Sequence, residues 1–295
     1  MGAMNWRALV AGAVAAGSSF LVPTASASSS PPAPSVTQPC GVSSTIPHYT
    51  HVVWILLENE GYSVVGSSSA PYLNALANRC GLATNYLAIS HPSLPNYIAL
   101  TSGSTHGITD DGEPDEHPVS GPSIFSQLDG NWRGLDQSMP LNCDTVTTDS
   151  YAARHNPAVY YTSLRSTCAH DDVPLSIPLD LSTKFTFITP NICDDMHSCP
   201  ISIGDRWLSQ IVPSIIASSE YRSRSLVLFI TFDENDTGPT NRVPTYVVAP
   251  SVPRGLRVSV RLNHYSLLRG TESLLGLSYL GAAGSATNLL APFHL

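Results

Sequence analysis

The chain has 295 residues, of which 42% are hydrophobic, and its formal net charge is −8 at pH 7. This length and hydrophobic content indicate a globular protein with one large domain or two ordinary ones. The negative charge, the single lysine (Lys184) and the lack of a basic cluster argue against a nucleic-acid partner.

The N-terminus has the features of a secretory signal peptide. Arg7 precedes an apolar stretch over residues 8–22, and Ala25-Ser26-Ala27 then predicts cleavage after Ala27. The apolar stretch is too short to span a bilayer comfortably, and no later stretch is long enough. The sequence therefore predicts a signal peptide over residues 1–27, a secreted extracellular protein and no transmembrane segment.

The rest of the chain predicts short alternating strands and helices, and it shows no internal repeat. Residues 28–47, rich in Ser, Pro and Thr, predict a disordered or extended lead-in to a domain over 48–295. Region 110–184 has little periodicity and predicts a loop-rich insertion. Elsewhere, strands are predicted at 51–58, 82–89, 185–190, 226–234 and 245–250, and helices near 71–79, from about 94, near 205–218 and near 265–276. Continuous apolar strands that alternate with helices predict an α/β fold, with a mostly parallel sheet covered by helices on both faces.

Six cysteines form an even set, which favours disulfides in an exported chain. Sequence proximity suggests that Cys193 pairs with Cys199 and Cys143 with Cys168, which leaves Cys40 with Cys80. A cysteine zinc site is the alternative, but the chain has no C-x2-C pair.

Polar residues follow four of the predicted strands, and in such sheets the working groups gather at the carboxyl ends of the strands. Helix capping is the alternative for any single acid. A cluster of acids at one sheet edge, however, repels itself unless a cation neutralises it. Oxygen ligands for a divalent cation are predicted at Glu58, Asn59, Asp233 and Glu234, with His197 and His264 as nitrogen ligands or phosphate-binding groups.

Ser93 lies between two prolines at a predicted turn from strand to helix. Its hydroxyl is either a helix cap or a nucleophile, and capping is the commoner role. The segment Gly-Ser-Thr-His-Gly at 103–107 has the glycine spacing of a serine-hydrolase elbow, but Thr105 stands where the serine belongs, so that class has little support.

Six motifs, in order from about His51 to Leu277, resemble those of a known family: ILLENEGY, SHPSLPNYIALTSG, PNICDDMH, GDRWL, FITFDEND and NHYSLLRGTESLLGL. The family comprises secreted bacterial and fungal phosphoesterases, both acid phosphatases and phospholipases C, within the alkaline phosphatase superfamily. The chain is most similar to the short acid-phosphatase branch. The resemblance implies an alkaline-phosphatase-like α/β fold.

The resemblance also implies roles for particular residues. Ser93 matches the nucleophile and Asn96 an amide that holds the phosphate. Glu58 with Asn59, and Asp233 with Glu234, match two metal-binding pairs of the family. With the Ser93 oxygen as a further ligand they form an oxygen-rich shell, which suits Ca²⁺, Mg²⁺ or Mn²⁺, and the nearby histidines are compatible with Zn²⁺. Asp195, His197 and His264 match positions that bind a second metal or the phosphate.

The expected function is that of a secreted, metal-dependent acid phosphatase that hydrolyses phosphate monoesters through a phosphoserine, with His264 or His197 as proton donor. The expected substrate is a small phosphate ester or a phospholipid headgroup, and phosphoinositide 3-phosphates are among those that the resemblance suggests. A phospholipase C-type phosphodiesterase is one alternative, because it would use the same residues. A secreted phosphate- or metal-binding protein without turnover is the alternative of another class.

Overall fold

The structure is a computed structural model that describes residues 1–3, 33–236 and 240–295. The predicted signal peptide, apart from its first three residues, lies outside the described residues. The described residues from 33 onward form one compact unit. Within the described residues, no helix combines the length and the apolar character needed to cross a bilayer.

A nine-stranded sheet forms the centre of this unit. The strands are β1 His51–Leu57, β2 Gly81–Leu87, β3 Trp132–Asp136, β4 Asp172–Pro174, β5 Phe185–Thr189, β6 Leu226–Phe232, β7 Arg242–Val248, β8 Arg257–Val258 and β9 Leu262–Asn263. Their order is β4-β3-β5-β1-β6-β7-β2-β8, and β9 also pairs with β2. Only the pairs of β7 with β6 and with β2 are antiparallel among the described strands. This confirms the predicted mostly parallel sheet.

The central strands are buried on both faces. All seven residues of β6 are buried, and so are six of the seven in β1. Because successive side chains of a strand point to opposite faces, both faces of the sheet must be covered. Among the described residues, eight α-helices surround the sheet: α1 Pro71–Arg79, α2 Ser93–Ser102, α3 Ile124–Leu128, α4 Cys168–Asp171, α5 Ile201–Ile216, α6 Ser219–Arg222, α7 His264–Leu275 and α8 Leu290–Phe293.

The predicted insertion at 110–184 contributes more to the sheet than its pattern indicates. It contains β3 and β4, and β3 pairs with β5 over five residues. The sequence WRGLD of β3 shows neither a continuous apolar run nor a clear alternation, so periodicity did not reveal it. The two-residue strands β8 and β9 were missed for the same reason.

The three disulfides are Cys40–Cys80, Cys143–Cys168 and Cys193–Cys199, which confirms the predicted pairing. The first of them ties the lead-in to the end of α1. Just after Cys40, the backbone amides of Val42 and Ser43 both donate to the carbonyl oxygen of Pro250, at 3.0 Å. The described end of the lead-in is therefore attached to the domain.

Candidate active site

Four strands deliver polar residues to one edge of the sheet. The strands β5, β1 and β6 are parallel neighbours, so Asp195, Glu58 and Asp233, which follow them, lie side by side. Antiparallel β7 separates β6 from β2, so β2 again runs in the direction of β6 and leads to Ser93 at the same edge. Backbone hydrogen bonds join these loops: the amide of Glu58 donates to the carbonyl oxygen of Asp195 at 2.9 Å.

Ser93 is the first residue of α2 and is 2% exposed. Its hydroxyl donates a hydrogen bond to Oε2 of Glu58 at 2.9 Å. The other oxygen of Glu58 accepts a short hydrogen bond from the hydroxyl of Tyr97, one turn further along α2. Ser93 is thus not a helix cap that bonds its own backbone. It is paired with a buried carboxyl group.

Burial strongly disfavours the charged form of these carboxyl groups. It raises the pKa of Asp195 to about 8 and that of Asp233 to about 7. The pKa of Glu58 lies well above its usual value, first because of burial and then because of the charges of Asp233 and Asp195. Ionisation of all three groups at neutral pH therefore costs free energy, and a bound cation would reduce this cost.

Several buried oxygen atoms in this cluster have no hydrogen-bond partner within the described part of the chain: Oδ1 of Asn59, Oδ2 of Asp233 and Oδ2 of Asp195. Asn59 has a left-handed backbone (φ 52°), and its backbone N–H donates a hydrogen bond to Oδ1 of Asp233 at 3.1 Å. Unpartnered buried oxygens are costly. Carboxylate and amide oxygens are also the ligands that hard divalent cations prefer, so these residues fit a metal ion.

A different cluster does not fit a metal. Cys143, Cys168 and Asp172 bring ligand-type atoms within 4.8 Å of one another. The two sulfur atoms form a disulfide, however, so no thiolate is left to bind an ion. A cavity of about 690 Å³ beside this disulfide contains none of the predicted site residues.

His155 is a site residue that the sequence did not reveal. It is fully buried, with Nε2 3.4 Å from Oε1 of Glu58 and Nδ1 3.3 Å from Oδ2 of Asp195. Its ring stacks on Tyr97 at a centroid distance of 5.3 Å. Burial, followed by the charge of Arg154, lowers the pKa of His155 well below its usual value. No signal pointed to His155, because it lies in the region without periodicity.

The Cys193–Cys199 loop carries Asp195 and His197, but their environments differ. Asp195 is buried, and its Oδ1 accepts a hydrogen bond from the backbone amide of His197 at 2.7 Å. The His197 ring is exposed at the rim, with Nε2 3.4 Å from Nη2 of Arg154. The loop thus presents one buried acid and one accessible imidazole.

His264 lies behind Asp233. It is fully buried, its Nε2 is 2.6 Å from the carbonyl oxygen of Asp233, and its Nδ1 is 3.0 Å from the hydroxyl of Tyr86. Both ring nitrogens are therefore engaged. Burial lowers the pKa of His264 to about 4. His264 is therefore better placed to support the backbone at Asp233 than to act as the predicted proton donor.

Asn96 is occupied by the loop before Ser93. Its Oδ1 accepts hydrogen bonds from the amides of Ile89 and Ser90, and its Nδ2 donates to the carbonyl oxygens of Ser90 and Pro92. In this structure Asn96 holds the loop, whereas the resemblance implies that it holds the phosphate.

The carboxyl group of Glu234 contacts His91 and Asn96. Its Oε2 is 2.6 Å from Nδ1 of His91 and 3.4 Å from Nδ2 of Asn96. Burial, followed by the charges of Asp233 and Asp111, raises the pKa of Glu234 to about 9. Of the predicted metal ligands, Glu58, Asn59, Ser93 and Asp233 are brought together, and Glu234 stands beside them.

The fold is that of the alkaline phosphatase superfamily. A solved structure of a superfamily protein from Vibrio parahaemolyticus matches with a TM-score of 0.59 at 10% identity, over 84% of this chain and 72% of the other. The sequence profile of the Phosphoesterase family matches residues 54–278, and the chain belongs to that family. The protein is therefore a phosphoric ester hydrolase.

Two relatives are similar to this chain over most of its length. A phosphatidylinositol-3-phosphatase of Mycobacterium tuberculosis is 30% identical over 260 residues, which cover 82% of each protein. A phosphate-repressible acid phosphatase of Penicillium chrysogenum is 29% identical over 74% of this chain and 57% of its own length. This chain therefore spans little more than half of the fungal protein.

Proposed function

We propose that the protein is an exported, metal-dependent phosphatase that hydrolyses phosphate monoesters through a phosphoserine at Ser93. The observation that carries this proposal is the Ser93–Glu58 hydrogen bond, at the start of a helix and inside a cluster of buried oxygen atoms. A hydroxyl needs such an adjacent acceptor to become a nucleophile.

The metal would be held by Glu58, Asn59 and Asp233, with the Ser93 oxygen and Asp195 next to them. When bound, a divalent cation supplies positive charge that lowers the cost of negative charge on the phosphoryl group. These side chains supply oxygen atoms, which favours Mg²⁺, Ca²⁺ or Mn²⁺, and the nearby His155 and His197 are compatible with Zn²⁺.

Transfer of the phosphoryl group from the ester to Ser93 is the first step. The Oγ atom of Ser93 forms a bond to phosphorus while the bond from phosphorus to the ester oxygen breaks. The hydroxyl proton passes to Oε2 of Glu58, which already accepts its hydrogen bond. The leaving oxygen takes a proton from the protonated form of His197, which is populated at acidic pH. This imidazole is accessible at the rim, whereas His264 is buried.

Hydrolysis of the phosphoserine reverses these proton movements. A water oxygen bonds to phosphorus, the bond between phosphorus and Ser93 breaks, and Glu58 returns its proton to Ser93. The water proton passes to His197, so both side chains regain their starting states. His155 and Tyr97 orient Glu58 throughout, because both contact its Oε1.

The names of the relatives support a monoester substrate. One is a phosphatidylinositol-3-phosphatase and the other an acid phosphatase, so a phosphoinositide 3-phosphate belongs among the substrates to be tested. The signal-peptide pattern of residues 1–27 and the three disulfides support export.

A panel of phosphomonoesters and phosphodiesters tests the function, assayed after chelation and after re-addition of single metals. We expect monoester turnover that chelation abolishes and one or more divalent ions restore. Preferential cleavage of phosphatidylcholine would favour a phospholipase C instead. Tight phosphate binding without turnover of any ester would favour a binding protein.

A further inference from the structure

Arg154 brings a positive charge to a site that is otherwise dominated by acids. It belongs to the 3-10 helix Ala153–His155 and thus immediately precedes His155, which contacts Glu58 and Asp195. Burial is the largest cause of the lowered pKa of His155 and of His197, and the charge of Arg154 is the next cause for both. The guanidinium group is therefore close enough to the candidate active site to influence it.

The guanidinium group of Arg154 has a hydrogen-bond donor without an acceptor among the described residues. Its Nε atom is buried and lacks a hydrogen-bond partner among the described residues, and the nearest carboxylate oxygen, Oδ2 of Asp111, is 3.8 Å away. That distance is too long for a hydrogen bond. The Nη2 atom is 3.4 Å from the His197 ring, which offers at most one neutral acceptor. An arginine with a free donor beside a phosphatase site is a candidate ligand for phosphate, because its fork of donors matches phosphate oxygens.

The carboxylate of Asp111 marks where such an anion would lie. Its Oδ1 accepts a hydrogen bond from the backbone amide of Leu94 at 2.9 Å, and Leu94 follows the candidate nucleophile Ser93. Its Oδ2 faces Arg154. One negatively charged group thus lies between the backbone amide beside Ser93, which donates to it, and the guanidinium, which is 3.8 Å away. A phosphoryl group could occupy the same place. The side chains of Asp111 and Arg154 are 36% and 22% exposed, so a ligand from solvent can reach both.

We propose that Arg154 binds the phosphoryl oxygens of the substrate and that Asp111 competes with the substrate for this place. The inference rests on the proposed function and specifies how the same site recognises a phosphate dianion. A phosphoryl group carries more charge and more acceptor atoms than a carboxylate, so it can engage the Leu94 amide and Arg154 together. Asp111 must then move aside, which its exposure permits.

The alternative role for Asp111 is to hold Arg154 in position. The two roles predict opposite effects of the same substitution. If Asp111 competes, Asp111→Asn should improve phosphate binding, since the negative charge is lost while an acceptor for the Leu94 amide remains. If Asp111 only positions Arg154, the substitution should weaken binding.

The test compares Arg154→Gln, Arg154→Lys and Asp111→Asn with the metal-loaded wild type. The substrate is p-nitrophenyl phosphate, and the inhibitor is inorganic phosphate. For Arg154→Gln we expect KM and the inhibition constant of phosphate to rise together by roughly tenfold or more, the loss expected for one charge-assisted hydrogen bond. Arg154→Lys should recover part of this loss, and Asp111→Asn should lower both constants severalfold.

Arg165→Gln is the matched control, because Arg165 is exposed and lines the cavity beside the Cys143–Cys168 disulfide instead of the site. It should leave both constants unchanged. The proposal would be overturned if both constants of Arg154→Gln stayed within twofold of wild type. It would also be overturned if both constants rose in Asp111→Asn. If the wild type turns over no ester, calorimetric titration with inorganic phosphate makes the same comparison, so failure of the proposed function remains distinguishable from failure of the Arg154 assignment.

Discussion

The Ser93–Glu58 pair places a carboxyl group in the protein interior, where it costs stability but can serve catalysis. Glu58 is fully buried, yet its two oxygens contact Ser93, Tyr97 and His155, and no Lys or Arg of the described residues forms an ion pair with it. A carboxyl group buried in this way costs free energy in its charged form. Such arrangements persist mainly where function needs them, because a hydrophobic side chain would pack there without this cost.

Ser93→Ala should reduce kcat/KM for phosphomonoesters by at least about a thousandfold, because the covalent route is lost. The hydroxyl is small and replaced by hydrogen, so the fold should survive and phosphate should still bind. Steady-state kinetics measures the first effect, and calorimetric titration with phosphate measures the second. Near-normal turnover in this variant would remove Ser93 as the nucleophile.

Asp233→Asn should lower metal affinity by at least about tenfold and should lower turnover with it. The reason is that the substitution removes one negative charge from the cluster that a cation would balance. Metal titration of the chelated protein, followed by activity at each metal concentration, is the measurement. Excess metal should restore part of the activity. A fully active preparation that contains no divalent metal would contradict the metal assignment.

At the scale of elements, α2 is the rigid support of Ser93. All ten of its residues are buried, and it packs against α7. Its end is defined by Gly103, which has a left-handed backbone (φ 75°) and whose carbonyl oxygen accepts a hydrogen bond from the amide of Ala282. A Cβ at Gly103 would lie 2.2 Å from the carbonyl oxygen of Leu280. Both the backbone angle and the close approach therefore require glycine.

Gly103→Ala should destabilise the protein by about 3 kcal/mol, since the left-handed backbone and the clash with a rigid backbone atom both contribute. Gly107→Ala is the matched control. Gly107 also has a left-handed backbone (φ 79°), but nothing lies within 4 Å of a Cβ there, so only the backbone term of about 1 kcal/mol is expected. Equal losses in urea-induced unfolding of the two variants would show that the approach to Leu280 is unimportant.

At the scale of the whole molecule, the sheet edge formed by β3 and β4 contains a second buried acid pair. Both carboxyl groups, of Asp136 and Asp172, are buried, and each is a cause of the shifted pKa of the other, so a protonated Asp136 would donate to Asp172. Burial raises the pKa of Asp172 to about 6, and burial followed by the charge of Asp172 raises that of Asp136 well above its usual value. Nδ2 of Asn156 donates to Asp172 at 2.8 Å, so this pair also anchors the segment that carries His155.

The raised pKa values set the direction of a pH effect on stability. In the unfolded chain both groups lose their protons near pH 4. In the folded protein they lose them only at about pH 6 and above, so the folded state binds more protons in between, and its stability falls as pH rises through this range. Asp136→Asn keeps a donor for Asp172 and removes the second charge.

We therefore expect the Tm of Asp136→Asn to exceed that of wild type by a few degrees at pH 8, with little difference at pH 4. A change of 1 kcal/mol corresponds to about 2–4 °C for a domain of this size. Calorimetric scans at both pH values, with the metal-binding cluster in the same state of loading, make the comparison. A lower Tm for the variant at pH 8 would contradict the shared-proton account.

The sequence by itself determined the elements whose signal is local. Continuous apolar runs marked β1, β5, β6 and β7, the amphipathic patterns marked the longer helices, and the even cysteine set indicated the three disulfides. The acids after β1 and β6 could be assigned to one edge, because the carboxyl ends of parallel strands lie on the same side of a sheet.

Only the tertiary structure decided which side chains meet at that edge and what each can do. His155 and Arg154 come from a segment without periodicity, so nothing local distinguishes them from surface residues. Glu234 differs from Asp233 by one position yet faces His91, because consecutive side chains leave the backbone in different directions. Likewise, the burial of His264 and the occupied amide of Asn96 depend on contacts between segments far apart in the chain, and burial and contact determine the proton affinity and free donors of a side chain.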